Sequence, residues 1–144
     1  MIVATEDLAR YAAAVTMVDG GFDPLHPGHI AYFRAAAELG LPVLCNVSSD
    51  AWVARKHRPL LRQEERGQLI DAIRWIDLVH LSATTTADVL RLLQPRYYAK
   101  GSDWRGRLPV DETRVCDEVG AEVVFLDTVL DSSTAILEGR GRRD

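Results

Sequence analysis

Five short apolar runs, each followed by a segment of helical period or a loop leading into one, constrain this chain more than any other feature. "AAVTMVDG" (13–20), "PVLCNVSSD" (42–50), "DLVHLS" (77–82), "RYYAKG" (96–101) and "AEVVFLD" (121–127) read as strands. Between the first two, "HPGHIAYFRAAAELG" (26–40) places Ile30, Phe33 and Ala37 on one helical face, with Pro27 in the first turn and Gly40 as a stop. Residues 62–77 form a second helix, with Leu69, Ile70, Ile73 and Ile76 turned inward. A third, 85–95, is capped by Thr85 or Thr86 and stopped by Pro95; a fourth, 111–120, ends at Gly120, and a short one begins near 132–138. Strict alternation of this kind implies an α/β fold: a parallel sheet of about five strands, covered by helices on both faces and joined by right-handed crossovers.

The chain has 144 residues, 47% of them hydrophobic, enough for one domain with a proper core. We read 1–144 as that single domain, with an ordered core over about 13–138 and a charged, glycine-containing tail at 139–144. The abrupt end leaves open that the chain is one domain of a larger biosynthetic enzyme. Cys45 and Cys116 lack metal-like spacing and read as apolar fillers in a reducing compartment. No segment resembles a signal peptide or a membrane span, so a cytoplasmic protein without a membrane partner is expected. A net charge of −4 and a pI near 5.5 argue against a nucleic-acid binder. Within that acidic background, "ARKHRPLLRQEER" (54–66) gathers five basic residues, a patch suited to a small anion such as a polyphosphate.

In open parallel sheets ligands bind outside the carboxyl ends of the strands. The loops to examine are therefore 19–29, 48–58, 82–86, 100–106 and 127–134. The first holds two of the four histidines, in "DGGFDPLHPGHI" (19–30). Gly20 and Gly21 permit a close backbone approach by a ligand. With Pro27 opening the helix, His26 sits at its edge and His29 one turn inside, three apart and on one face. Free backbone N–H groups and the helix's partial positive charge at that spot suit a phosphate whose charge grows during reaction. Zinc would need third and fourth ligands, and none has recognisable spacing. Two capping histidines remain an alternative, and the Gly-x-Gly-x-x-Gly of a dinucleotide fold is absent.

"GGFDPLHPGH" resembles the Gly-x-Phe-Asp-x-x-His-x-Gly-His signature of the cytidylyltransferase-like nucleotidyltransferases. "RQEERGQLIDAIRWIDLV" resembles the family's Glu-x-Arg helix closed by an Ile-Asp pair. "YYAKGSDW" resembles its Lys-Gly-x-Asp or Gly-x-Asp-Trp strand end, and "DSSTAI" its Ser-Thr turn. The likeness runs from about residue 15 to 138. It implies a Rossmann-like fold and nucleotidyl transfer: a phosphate-bearing acceptor attacks the α-phosphorus of a nucleoside triphosphate and pyrophosphate leaves. By resemblance, His26 and His29 stabilise the reacting phosphate, Lys56 stands near the triphosphate and acceptor with Arg58 assisting, and Arg66 serves the nucleotide and polyphosphate site. Gly20, Gly21, Phe22 and Gly28 shape the phosphate loop, while Gly101, Asp103 and Trp104 line the nucleotide pocket. Ser132, Ser133 and Thr134 cradle the β- and γ-phosphates at a helix start. Asp23 and Asp50 orient the acceptor or the basic residues. Magnesium is expected on the triphosphate, with no protein metal cage, and a homodimer is expected from relatives.

The nucleotide is divided evidence. Cytidylyltransferases acting on glycerol phosphate carry Arg-Thr-Glu-Gly before the Ser-Thr turn, whereas this chain has "DTVLD" (127–131), with Asp127 in place of the arginine. Heptose-phosphate adenylyltransferases also lack that arginine, and their Lys-Gly-x-Asp fits "AKGSDW". Trp104 follows the cytidylyltransferase habit, and the balance goes narrowly to CTP, with ATP and a heptose phosphate as the alternative. The acceptor is a small phosphate or phosphonate. A nucleotide-sensing module without turnover is the rival outside enzymology.

Overall fold

The computed structural model describes residues 1–128, and its centre is a six-stranded, wholly parallel sheet. The strands are β1 (Ile2–Val3), β2 (Thr16–Gly20), β3 (Val43–Val47), β4 (Leu78–Leu81), β5 (Tyr97–Gly101) and β6 (Glu122–Leu126). They lie in the order β1-β4-β3-β2-β5-β6. The helices are α1 (Pro27–Ala37), α2 (Asp50–Val53), α3 (Gln63–Asp71), α4 (Thr86–Leu93) and α5 (Val110–Val119).

Period-2 alternation along the strands sorts their side chains onto two cores. Met17, Leu44, Leu78 and Tyr98 pack with Leu90 and Leu93 of α4 and Val115 of α5. Their neighbours Val18, Cys45, Val79 and Ala99 pack on the other face with Phe33 and Ala36 of α1 and Ile70 of α3. Both cysteines are buried and unbridged, and burial pushes the Cys116 thiol up to about 11.

Three features differ from the sequence reading. A sixth strand, β1, pairs with β4, and a 3-10 segment at Thr5–Tyr11 brings Leu8 into the core at 0% exposure. The packed body therefore begins before residue 13. His80 ties this segment down, its ring nitrogens 2.8 Å from Asn46 Oδ1 and 2.8 Å from Thr5 Oγ1. The second long helix stops at Asp71 rather than 77, and its buried side is Arg66, Gly67 and Ile70, so Leu69 is 50% exposed instead of inward. The first long helix ends at Ala37, with His26 as its N-cap.

The chain runs outward from β2 to β3 and β4, then returns across the sheet to β5 on the opposite side of β2. This is the topological switch point. The β2–β3 ladder continues from Thr16↔Val43 to Gly20↔Val47, but β2 pairs with β5 only at Thr16↔Tyr97 and Met17↔Tyr98. Beyond Met17 and Tyr98 the two strands part, and the crevice between them opens at their carboxyl ends.

Candidate active site

A cavity of about 530 Å³ fills that crevice. The residues after β2 build its first wall. His26 Nδ1 accepts the Gly28 backbone N–H at 3.1 Å, and His29 Nδ1 accepts the His26 backbone N–H at 3.2 Å. The two histidines thus form a reciprocal capping box in place of the usual hydroxyl and carboxylate. Their rings stack with centroids 3.7 Å apart. Because each Nδ1 is an acceptor, each neutral ring carries its proton on Nε2. Burial first, and the neighbouring His26 second, lower the His29 pKa to about 3. His29 therefore stays neutral in the physiological range and presents an uncharged N–H donor to the cavity, which it lines.

This arrangement corrects two expectations. The amides at the start of α1 are not open to an anion: Gly28 N–H is spent on His26, His29 N–H bonds the His26 carbonyl at 2.9 Å, and Pro27 has none. The helix's positive end reaches the cavity through the imidazoles instead. Nor do both rings share the wall. His29 lines the cavity, while His26 lies behind it, 9% exposed, at the edge of an outer groove along α1.

Phe22 sets the ring geometry. It sits at φ 53° and packs edge-on to His29, with centroids 4.9 Å apart, and to Phe33 at 5.2 Å. A Cβ on Gly20 would stand 3.0 Å from the Phe22 ring, and one on Gly21 would stand 3.0 Å from Val53 Cγ2. The glycines leave room for the protein's own side chains as well as for a ligand.

Arg66 lies elsewhere than the resemblance implies. It is 1% exposed, and four of its five N–H bonds are spent inside the protein. Nε donates to Leu61 O (3.2 Å), Nη1 to Gly21 O (2.8 Å) and Ser48 O (2.9 Å), and Nη2 to Asp50 Oδ1 (2.6 Å). It ties together the loops after β2 and β3 and the entry to α3, and it does not line the cavity. Asp50 holds Arg66. Asp23, 2% exposed, accepts the Leu60 and Leu61 N–H groups at 2.7 and 3.2 Å, pinning the basic loop against the wall. On that loop Lys56 reaches the cavity rim, as does His57, whereas Arg58 is exposed and outside it.

Gly101, Asp103 and Trp104 line the opposite wall. Ser132, Ser133, Thr134 and the helix expected near 132–138 lie outside the described residues.

The floor was missed. Lys100 Nζ bonds Asp19 Oδ1 at 3.0 Å, both side chains under 10% exposed, and stands 4.3 Å from the Trp104 ring centre. Asp19 Oδ2 accepts Thr86 Oγ1–H at 2.7 Å. Tyr98 Oη lies 2.6 Å from Glu112 Oε1 and 3.2 Å from Asp19 Oδ1. Burial raises the Glu112 carboxyl above its ordinary value; the Tyr98 hydrogen bond opposes this, and Asp19 adds a smaller upward push. A charge at the carboxyl end of each of two buried strands, Asp19 in "VDG" and Lys100 in "AKG", was the available signal. Among the described residues no three His, Cys, Asp or Glu side chains converge to hold a metal ion, and no helix is long and apolar enough to cross a membrane.

The chain is similar to proteins of known family. It is 35% identical over 136 residues, 92% of its length, to the bifunctional protein HldE of Gluconobacter oxydans, and 30% identical over 142 residues to that of Nitratiruptor. It spans under a third of the length of these relatives, 28% and 30%. A crystal structure of the lipopolysaccharide core biosynthesis protein from Thermoplasma volcanium superposes with a TM-score of 0.67 at 21% identity, covering 81% of this chain and 98% of that one, which shows a shared fold. The cytidylyltransferase-like family model matches residues 17–137, a span that takes in the histidine cap, the Arg66 strut and the Lys100 strand end. With the switch-point cavity built from those same segments, this chain belongs to the cytidylyltransferase-like family.

Proposed function

We propose that this chain catalyses adenylyl transfer from ATP to the phosphate of a sugar phosphate, with release of pyrophosphate. The observation that carries the proposal is the stacked histidine cap: it fixes the His29 ring, with Nδ1 bonded to the His26 amide, at the wall of the cavity at the switch point. An acceptor phosphate oxygen attacks the α-phosphorus, forming a new P–O bond. The bond from the α-phosphorus to the bridging oxygen breaks, and pyrophosphate carries away the electron pair. Such chemistry needs positioning and stabilisation of growing negative charge more than covalent help. His29 supplies the hydrogen bond to the α-phosphate, and Lys56 at the rim supplies a cation beside it. Magnesium travels on the triphosphate oxygens. Arg66, Asp50 and Asp23 act as positioning residues, holding the loops that carry these groups.

The choice of ATP over CTP rests on Asp127, which stands where the cytidylyltransferases keep an arginine, on the Lys100-Gly101-x-Asp103 strand end, and on the relatives named HldE. A cytidylyl reading retains one supporting residue, Trp104. The His29 ring, which lines the cavity and has no hydrogen bond beyond the cap among the described residues, argues against a sensor that binds without turnover.

Pyrophosphate release tests the proposal. ATP or CTP is mixed with heptose, hexose and glycerol phosphates, for the wild type and His29→Ala. The expected result is release with ATP and a sugar phosphate, reduced about 100- to 1,000-fold in the variant. Release with CTP alone would establish the cytidylyl reading, and release with neither nucleotide would refute the catalytic one.

A further inference from the structure

We infer that the cavity floor formed by Asp19, Thr86, Lys100 and Glu112 is a hydroxyl-recognition subsite, which takes the polyol part of the acceptor and selects it against acceptors without hydroxyls. The inference rests on the adenylyl-transfer reading above and assigns side chains that the histidine site does not use.

The floor lies where β2 and β5 part, and the Lys100–Asp19 ion pair spans the gap between the two strands. Its donors and acceptors do not balance. Tyr98 has one hydroxyl proton and two carboxylate neighbours, Glu112 Oε1 at 2.6 Å and Asp19 Oδ1 at 3.2 Å, and can donate to only one of them. Thr86 spends its proton on Asp19 and keeps lone pairs to accept with. The Lys100 ammonium has three N–H bonds and one acceptor among the described residues, Asp19. With the Tyr98 proton on the nearer Glu112 and Asp19 served by Lys100 and Thr86, the set has N–H donors left over at Lys100 and acceptor capacity left over at Thr86 and Glu112.

A ligand hydroxyl both donates and accepts, so adjacent hydroxyls satisfy such a set. A phosphate does not. At neutral pH it chiefly accepts, so it leaves the acceptors at Thr86 and Glu112 without a donor, and it would bring negative charge against the buried Asp19 carboxylate. An ammonium group would suit the carboxylates but would meet Lys100. The charge pattern thus sorts the substrate along the cavity, with phosphates at the His29 and Lys56 side and a neutral polyhydroxyl group below.

The test uses Glu112→Gln and Thr86→Val, with steady-state kinetics for ATP and for each of a heptose phosphate, glycerol 3-phosphate, O-phosphoethanolamine and 2-aminoethylphosphonate. The wild type is expected to prefer the polyol phosphates. Each variant is expected to lose about tenfold or more in kcat/KM for them, the cost of a hydrogen bond to a charged or fully enclosed group. The KM for ATP should stay within about twofold, which a general loss of structure would not produce. An equal rise in the KM for ATP would give the floor to the nucleotide and overturn the inference, as would a wild-type preference for the hydroxyl-poor acceptors. If no acceptor yields pyrophosphate, the transfer reading fails by itself. Calorimetry with glycerol 3-phosphate and the heptose phosphate then decides the floor: binding weakened by both variants supports it, and no binding, or binding unchanged by them, refutes it.

Discussion

Replacing Arg66 by methionine separates a strut from a substrate ligand. In the folded chain the guanidinium is enclosed and its four hydrogen bonds reach three loop carbonyls and Asp50. Methionine keeps most of the aliphatic stem and removes every donor. The carboxylate of Asp50 is 47% exposed and turns to water at little cost, so the ion pair itself adds little. The three part-buried carbonyls lose their donor, at about 1 kcal/mol or more each, which sets the loss near 3 kcal/mol. For a chain of this size that lowers the melting temperature by roughly 10 °C. Lysine restores the charge but not the fork, so Arg66→Lys should recover under half of the loss. Urea denaturation of the three proteins measures the stability, and steady-state kinetics should show both kcat and KM disturbed, because the phosphate loop and the basic loop lose their common tie. The reasoning fails if Arg66→Met is within about 0.5 kcal/mol of wild type and only the KM for nucleotide rises, since Arg66 would then touch the nucleotide directly.

Three further predictions concern His29 and Asp23. Because burial and His26 hold the His29 pKa near 3, its ring resonances should stay constant from pH 8 to pH 5; a midpoint near the ordinary 6.5 would contradict the buried cap. The folded value lies below the unfolded one, so the associated stability is complete above about pH 6.5 and is lost as pH falls towards 3, which denaturation of wild type and His29→Gln at pH 7 and 4.5 should show as a smaller acid loss in the variant. Asp23→Ala frees the Leu60 and Leu61 amides and should make the 55–61 loop the first site of tryptic cleavage, at Arg55 or Lys56, with kcat/KM down about tenfold; unchanged cleavage would show that the loop does not depend on this carboxylate.

Much of the fold was legible because its signal is local. Each of the five longer strands lies in a largely apolar run, and the crossovers 21–42, 82–96 and 102–121 carry glycine or proline close to their ends. The sixth strand escaped because Ile2–Val3 is two residues long and the segment after it has no helical period. Leu69 was misplaced because the inward position of that helix goes to an arginine, which hydropathy counts as exposed. The histidine pair was legible as a phosphate-directed motif, but its inner geometry was not, since each Nδ1 bonds a backbone amide that sequence does not display. The role of Lys100 and the inner bonds of Arg66 stayed hidden for one reason. The partners of Arg66 are carbonyls from three separate loops, and Asp19 stands 81 residues from Lys100 on a strand that becomes its neighbour only through the crossover.

The fate of the α-phosphorus tests the central claim most directly. With ATP labelled at the α-phosphate and, separately, at the γ-phosphate, a heptose phosphate and Mg²⁺, the α label should appear in the sugar product and the γ label in pyrophosphate. Transfer of the γ label to the sugar, or retention of both labels in ATP under saturating conditions, would contradict adenylyl transfer at this site.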